Sequence, residues 1–280
     1  MLFGKKAIAF LSATALLLFQ SSCGQGEKIQ APPAVNSFSA QVLKVGQADA
    51  IVLNTKNSCI IIDCGEKGDG EEMAKYLNKN GIDCVDYMFI THFDKDHVGG
   101  VPELLDKIPV KKIIVPNYVG TNDEYSAYIS KTNELNIVPE AITKEMKFIL
   151  DDVLFEIYPP QKASYSESDN DFSLAISVTH GENSFLFTGD AEAERIDEVI
   201  NQCGSKYDFL KIPHHGKYNK NTKKLLDTIN PTFAVITDSK KNSADTRVIS
   251  ELEKSGCDIY FTKDGNINII SDGKEITVSQ

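Results

Sequence analysis

The sequence predicts an α/β layered fold, and three features carry that expectation. Short apolar runs recur along the chain, separated by stretches with helical spacing. Several of these runs end abruptly in a loop bearing His or Asp, which is how layered α/β folds build sites at strand ends. No second shift in composition divides the residues after Ser37, so one large domain over 38–280 is expected.

Ser39 to Leu43 and Ala50 to Leu53 read as strands around Val45-Gly46-Gln47-Ala48-Asp49. Cys59 to Ile62 reads as a buried strand running into Asp63-Cys64-Gly65. Glu71 to Asn80 has helical spacing and stops at Gly81. Val85 to Ile90 is a strand that delivers the chain into His92. Pro102 to Lys107 reads as a short helix and Lys112 to Val115 as a strand. In the second half, Phe148 to Tyr158 and Leu174 to Val178 read as strands, separated by a polar segment from Gln161 to Asp171. Ser184 to Thr188 is a strand ending at Gly189-Asp190, and Ala191 to Gln202 a helix. Phe209 to Ile212 is a strand ending at Pro213-His214-His215-Gly216. Asn221 to Asp227 is helical, Phe233 to Thr237 a strand and Thr246 to Lys254 a helix. Two short strands around Asp264-Gly265 close the chain.

The N-terminus has a different character. Lys5 and Lys6, an apolar run from Ala7 to Phe19, and Ser21-Ser22-Cys23-Gly24 follow the order of a secretory signal. The run falls short of the ~20 apolar residues of a spanning helix. Its small-small-Cys ending resembles a bacterial lipobox, in which Cys23 receives lipid, although Gln20 stands where such motifs usually carry Leu. Residues 1–22 are therefore expected to be a lipoprotein-type signal. Residues 23–37, polar with Pro32-Pro33, are expected to be a tether. An ordinary signal or an uncleaved anchor would also place the folded part outside the cytoplasm, secreted or attached to the membrane.

Lys and Arg number 29 and Asp and Glu 40, a net charge of −11; without Lys5 and Lys6 it is −13. This balance argues against broad electrostatic binding to nucleic acid, which needs many phosphate contacts. It leaves room for an anionic substrate at a site where bound cations invert the local field. Beyond Cys23 the cysteines are Cys59, Cys64, Cys84, Cys203 and Cys257, an odd number without a CxxC pair. They read as buried free thiols, with neither a disulfide framework nor a structural zinc site. No obligate protein partner is evident.

The chemistry concentrates in Thr91-His92-Phe93-Asp94-Lys95-Asp96-His97. Four potential ligands fall within six residues, after a strand and before Gly99-Gly100. Imidazole and carboxylate together suit Zn²⁺, and the carboxylate share also admits Mn²⁺ or Fe²⁺. Asp190 ends a second strand with a carboxylate able to bridge two ions. His214 and His215 end a third. Adjacent side chains on an extended segment point to opposite sides, so one His is expected at the metals and the other behind it or on substrate. His180, in Thr179-His180-Gly181, reads as an exposed hairpin-turn residue without a chemical role. Tyr118, Tyr125, Tyr128 and Tyr165 read as partly buried packing.

Taken in order, these motifs resemble the metallo-β-lactamase superfamily, and within it the hydrolase-like domain of the bacterial DNA-uptake protein ComEC and its free-standing relatives. Val45 to Ala50 is similar to that group's V-G-Q-G-D-A, and Asp63-Cys64-Gly65 to its D-x-G. His92 to Gly100 gives H-x-D-x-D-H-x-G-G, the most specific piece. Asn170 with Ser173-Leu174, then Thr188-Gly189-Asp190 and Lys211 to Gly216, follow in the same order. The resemblance implies an αββα sandwich of two mixed sheets flanked by helices, with one or two Zn²⁺ or Mn²⁺ ions at one edge. It assigns His92, Asp94, Asp96 and His97 to the metals, with Asp190 as the bridge. Of the His pair it favours His214 over His215 as the ligand, and it draws the catalytic groups from Asp96, Asp190, His214 and His215. Asp63 would orient ligands from behind, and Asn170 and Lys211 would stand behind the ligands or beside the substrate, where Lys211 would neutralise a phosphate oxygen.

Two departures matter. Asp94 stands where many superfamily members have a second His, and no His follows Phe233 to Thr237. In the region from Lys240 to Thr246 the expected substitute is Asp245. The implied reaction is metal-assisted hydrolysis. A small-molecule or nucleic-acid phosphodiester is ahead of a lactone, lactam or other ester, because the His-Asp-Asp-His and His-His-Gly patterns belong to that branch. The rival reading is a surface binding protein on a decayed hydrolase scaffold. The missing late His motivates it, and the retained His-Asp set opposes it.

Overall fold

Alternation of apolar side chains decides how this chain layers. The computed structural model describes residues 37–166, 169–204 and 206–280. The signal expected over 1–22, and the tether before Ser37, lie outside the described residues. Within them, the first sheet starts with β1 (Phe38–Val42), β2 (Ala50–Asn54), β3 (Cys59–Cys64), β4 (Val85–Phe89), β5 (Val110–Pro116) and β6 (Glu140–Ile142). The second sheet takes β7 (Met146–Leu150), β8 (Val153–Tyr158), β9 (Ala175–His180), β10 (Asn183–Phe187), β11 (Phe209–Lys211), β12 (Phe233–Ile236) and β13 (Asp258–Phe261). The chain then returns to the first sheet. There β14 (Ile267–Ser271) pairs antiparallel with β1, and β15 (Ile276–Ser279) with β14.

Both sheets are mixed in the same way. The first is antiparallel as far as β3 and parallel from β3 to β6. The second is antiparallel from β7 to β10 and parallel from β10 to β13. Parallel pairs need crossovers, and all six here run through helices. These are α1 (Asp69–Lys79), α2 (Lys95–Val98), α3 (Val101–Leu105) and α4 (Asp123–Glu134) in the first half. The second half adds α5 (Ala193–Cys203), α6 (Thr222–Ile229) and α7 (Thr246–Ser255).

Three apolar layers result. Ile60 and Ile62 of β3 join Phe89, Phe155, Phe185, Phe187 and Phe209 between the sheets. Ile61 points the other way, into a cluster with Met73 and Leu77 of α1 and Leu104 of α3. Leu186 of β10 likewise turns from the middle layer to meet Ile196, Leu225 and Val248 of the outer helices. Two sheets face each other and helices cover both outer faces, so the predicted αββα sandwich is observed. Each fully buried Phe or Ile contributes roughly 1.5–3 kcal/mol to that stacking.

Some expectations are corrected. The run from Phe148 to Tyr158 is a hairpin, β7 and β8, turning at Asp151, whose φ is 54°. The strands around Asp264-Gly265 exist but belong to different sheets, and β15 was not anticipated. His180 is no turn residue: it ends β9 and is 3 % exposed. Its Nδ1 lies 2.8 Å from Ser271 Oγ because returning strand β14 covers it. The five cysteines among the described residues are free thiols, with Cys59, Cys64 and Cys257 buried. Among the described residues, no helix is long and apolar enough to cross a membrane.

Candidate metal centre

Five strands, β3, β4, β10, β11 and β12, end in loops that meet at one place, as expected for ligand sites at the carboxyl ends of strands. After β4 the chain passes through Thr91 and His92 and turns into α2, which carries Asp96 and His97. A side chain at Gly100 would place its Cβ 2.1 Å from Cys64 O, so only glycine lets this turn lie against the end of β3. After β10, Gly189 has φ +52°, and a Cβ there would sit 2.8 Å from Ser173 Oγ and 2.9 Å from Thr91. That close approach delivers Asp190 to the site.

After β11 the segment is not extended, as the sequence suggested. His214 (φ 49°, ψ 46°) and His215 (φ 53°, ψ 26°) are consecutive left-handed residues. Such a conformation costs roughly 1–2 kcal/mol for each non-glycine residue. Their ring centroids lie 6.1 Å apart. Both rings contact Asp190 instead of pointing to opposite sides: His215 Nε2 is 3.1 Å and His214 Nε2 3.8 Å from its Oδ2.

Asp96, His97, Asp190 and His215 each offer an atom within 4.8 Å of the others. His215 Nε2 is also 3.2 Å from Asp96 Oδ2, and His97 Nε2 is 3.3 Å from Asp190 Oδ1. Yet His97 Nε2, His215 Nε2, Asp190 Oδ1 and neighbouring His92 Nε2 make no hydrogen bond. The contacts are close but misaligned. One buried unsatisfied polar atom costs about 1–3 kcal/mol, so four together call for a common partner. Two imidazoles and two carboxylates converging on a point are the donor set of a divalent cation, and they fit one.

The far side of each ring is fixed. Asp63, itself at φ 57°, takes His97 Nδ1 at 2.8 Å and the Thr91 amide and hydroxyl at 2.7 and 2.6 Å. His215 Nδ1 lies 2.9 Å from Thr237 Oγ1, whose hydroxyl donates to Asp49 Oδ1 at 2.7 Å. His92 Nδ1 lies 3.1 Å from Thr91 Oγ1. Each arrangement turns an Nε2 toward the cluster, as partners behind a metal-ligating His do.

The electrostatics match. Burial opposes a charged His97, but Asp190 and Asp63 overcome it and hold its pKa well above the usual imidazole value. Burial also opposes a charge on His215, yet Asp190 and Asp96 push it up to about 9. Asp190 is buried, but His215 and His97 keep it well below the usual carboxylate range. Without a cation, two imidazoliums thus supply its charge. Burial and neighbouring His97 hold His92 well below its usual value.

The remaining expected site residues are distributed around this cluster. Asp94 is on the open side, its Oδ2 3.8 Å from His92 Nε2, and burial raises it to about 6. Asn170 is buried beside His214, its Nδ2 3.5 Å from His214 Nε2 and 3.2 Å from Glu192 Oε1. His214 sits at the rim, its Nδ1 2.9 Å from Glu192 Oε1, so the deeper position belongs to His215 and not to the favoured His214. Lys211 is fully buried and paired with Asp49; its Nζ is 3.2 Å from Gly189 O and 3.6 Å from Asp190 Oδ1. It thus stands behind Asp190, one of the two places expected for it, and its charge is taken up by Asp49. Asp245 is no substitute ligand: it caps α7, accepting from Arg247 N at 2.9 Å and pairing with the Arg247 guanidinium.

Sequence reading included Thr91 in the site segment without giving it a role, and did not assign Thr237, Glu192 or Lys217 to the site. Asp49 was visible only as part of Val45 to Ala50. Thr237 was passed over because a His was sought beyond it.

A cluster of His and Asp donors at the edge of an αββα sandwich defines a class, the metal-dependent hydrolases of this fold. The metallo-beta-lactamase superfamily model matches residues 43–236, and the chain belongs to that superfamily. It is 26 % identical over 211 residues to Recombination protein 2 of Haemophilus influenzae, covering 74 % of this chain and 25 % of that protein. It is 28 % identical over 171 residues to ComE operon protein 3 of Bacillus subtilis, covering 61 % of this chain and 22 % of that one. The chain thus spans about a quarter of the length of these relatives. In fold it is similar to the metallo-beta-lactamase fold protein YhfI of Bacillus subtilis, with a TM-score of 0.55 at 10 % identity over 83 % of this chain and 99 % of that one. It is also similar to Igni18, a metallo hydrolase of Ignicoccus hospitalis, with a TM-score of 0.52 at 14 % identity over 86 % and 99 %.

Proposed function

We propose that this hydrolase cleaves phosphodiester bonds, in nucleic acid or a nucleotide, with Zn²⁺ or Mn²⁺ at the Asp96–His97–Asp190–His215 cluster. The convergence of those four side chains carries the reading. The substrate class is supported by the carboxylate-rich His-Asp-Asp-His segment and by relatives named for recombination and the ComE operon. A divalent ion held there supplies Lewis acidity and lowers the pKa of water.

The chain's own groups do the rest. Asp96 is half-buried and Asp190 buried, and their carboxylates flank the cluster, where they orient the attacking water. Asp94 lies on the open side with buried His92 behind it, its Oδ2 3.8 Å from His92 Nε2, and this pair is the place for a second ion. A carboxylate only accepts, so the proton on His214 sits at Nδ1, toward Glu192. His214 Nε2 is then an acceptor facing the cleft.

Turnover of bis-p-nitrophenyl phosphate by Zn²⁺- and Mn²⁺-loaded protein tests the reading, alongside a lactone and nitrocefin. Phosphodiester turnover that Asp96→Ala abolishes is expected. Faster turnover of the lactone or nitrocefin would overturn the substrate class, and unchanged turnover in Asp96→Ala the site.

The protein is further proposed to act outside the cytoplasm, attached through Cys23, on the strength of the residue pattern from Lys5 to Gly24. Globomycin-sensitive processing with palmitate labelling is expected. Absence of both would leave an ordinary signal.

A further inference from the structure

We propose that Lys217 is the anion-recognising residue of the cleft, binding a non-bridging phosphoryl oxygen of the substrate. The inference rests on the phosphodiester reading above and names the residue that selects for it.

Lys217 follows the left-handed turn of His214 and His215 directly, and its backbone N–H bonds His214 O at 2.9 Å. The residue is exposed, yet its side chain folds inward and its Nζ donates to His214 Nε2 at 2.6 Å. A free lysine keeps its ammonium in water and its rotamers mobile; this one is held at the rim of the metal cluster. Nearby cations are already neutralised: Lys211 by Asp49, and Lys95 by Glu66 at 3.2 Å. Lys217 forms no ion pair with a carboxylate among the described residues, and its hydrogen-bond partner is a ring nitrogen of His214.

A second donor shares the place. Asn170 Nδ2 approaches the same His214 Nε2 at 3.5 Å. Two N–H groups from separate loops therefore gather around one atom, which is itself 3.8 Å from Asp190 Oδ2. An anionic oxygen entering there replaces His214 Nε2 as the acceptor for Lys217 and gains a charge-assisted hydrogen bond. The chain as a whole is acidic, with 40 Asp and Glu against 29 Lys and Arg. A local cation at the mouth is what lets a phosphodiester approach.

The test pairs Lys217→Met, which keeps length and removes charge, with Lys217→Arg, on the metal-loaded full chain. Metal content and melting temperature are measured first in each. For Lys217→Met, KM for bis-p-nitrophenyl phosphate should rise roughly tenfold, with its dependence on salt reduced. Lys217→Arg should recover most of the loss. Calorimetric binding of inorganic phosphate gives an independent readout and should weaken by a similar factor in Lys217→Met. Phosphate binding that weakens without any phosphodiester turnover in the parent would retain Lys217 as the anion site and reject the proposed substrate. Unchanged KM and phosphate affinity in a metal-replete Lys217→Met, or no phosphate binding by the parent, would overturn the assignment.

Discussion

Asp63 Oδ2 lies 2.8 Å from His97 Nδ1, while the other nitrogen of that ring faces Asp190 Oδ1 at 3.3 Å. One buried carboxylate therefore sets the direction in which His97 presents its lone pair. Asp63 can do this because its left-handed backbone at the end of β3 aims the side chain across to the loop after β4. It holds that loop twice more through Thr91.

Asp63→Asn keeps the shape but can no longer fix the tautomer of His97. Removal of such a partner behind a ligand typically weakens metal binding ~10–100-fold. Zn²⁺ affinity, measured by competition with a chromophoric chelator, should fall by that order. An affinity within twofold of the parent would show that Asp63 only packs.

Lys211 and Asp49 form a buried pair, and breaking one side should be costly. Lys211→Met leaves the Asp49 carboxylate buried without its cation, a loss of about 3–5 kcal/mol. The double variant Lys211→Met/Asp49→Leu removes both charges, so chemical denaturation should show much of that stability restored. If the single variant is as stable as the parent, the pair is not the anchor of β11 that its burial implies.

Asp245 caps a helix, so its loss should be felt in stability alone. Asp245→Ala removes the acceptor for Arg247 N and should cost about 0.5–2 kcal/mol. Bound metal per chain should stay at the parental value. A drop in metal content would restore Asp245 to the ligand set.

Much of this site was legible because its residues sit at strand ends with strong local signatures. His92 to His97 follow the apolar run Tyr87 to Ile90, Asp190 follows Phe185 to Phe187, and the His pair follows Phe209 to Ile212, apolar but for Lys211, so type and spacing were enough to mark them. The choice between His214 and His215 was not legible. It depends on two consecutive left-handed residues in the loop after β11, which lies between β10 and β12 in the sheet. The partner of Lys211 was not legible for a related reason: alternation along a strand tells which face a residue takes, not that Asp49, far away in sequence, waits there. His180 looked like a turn because nothing local announces that β14 returns to cover it.

Protonation supplies the remaining prediction. Burial opposes the charged forms, but their carboxylate neighbours raise His97 well above the usual value and His215 to about 9. In the metal-free fold both rings therefore carry a second proton at neutral pH, whereas in the unfolded chain they titrate near ~6.5. A folded pKa above the unfolded one stabilises fully below the unfolded value and fades as pH rises through the folded one. The contribution of His215 to the metal-free fold should thus be complete below about pH 6.5 and lost by about pH 9. Metal ligation demands the deprotonated nitrogens, so the loaded protein should show no such loss and the gap between the two melting curves should widen over that interval. At pH 7, Zn²⁺ binding should expel about two protons, from His97 and His215, seen as a dependence of calorimetric heat on buffer ionisation enthalpy. Binding heat independent of buffer would mean that neither imidazolium occupies the place of the cation.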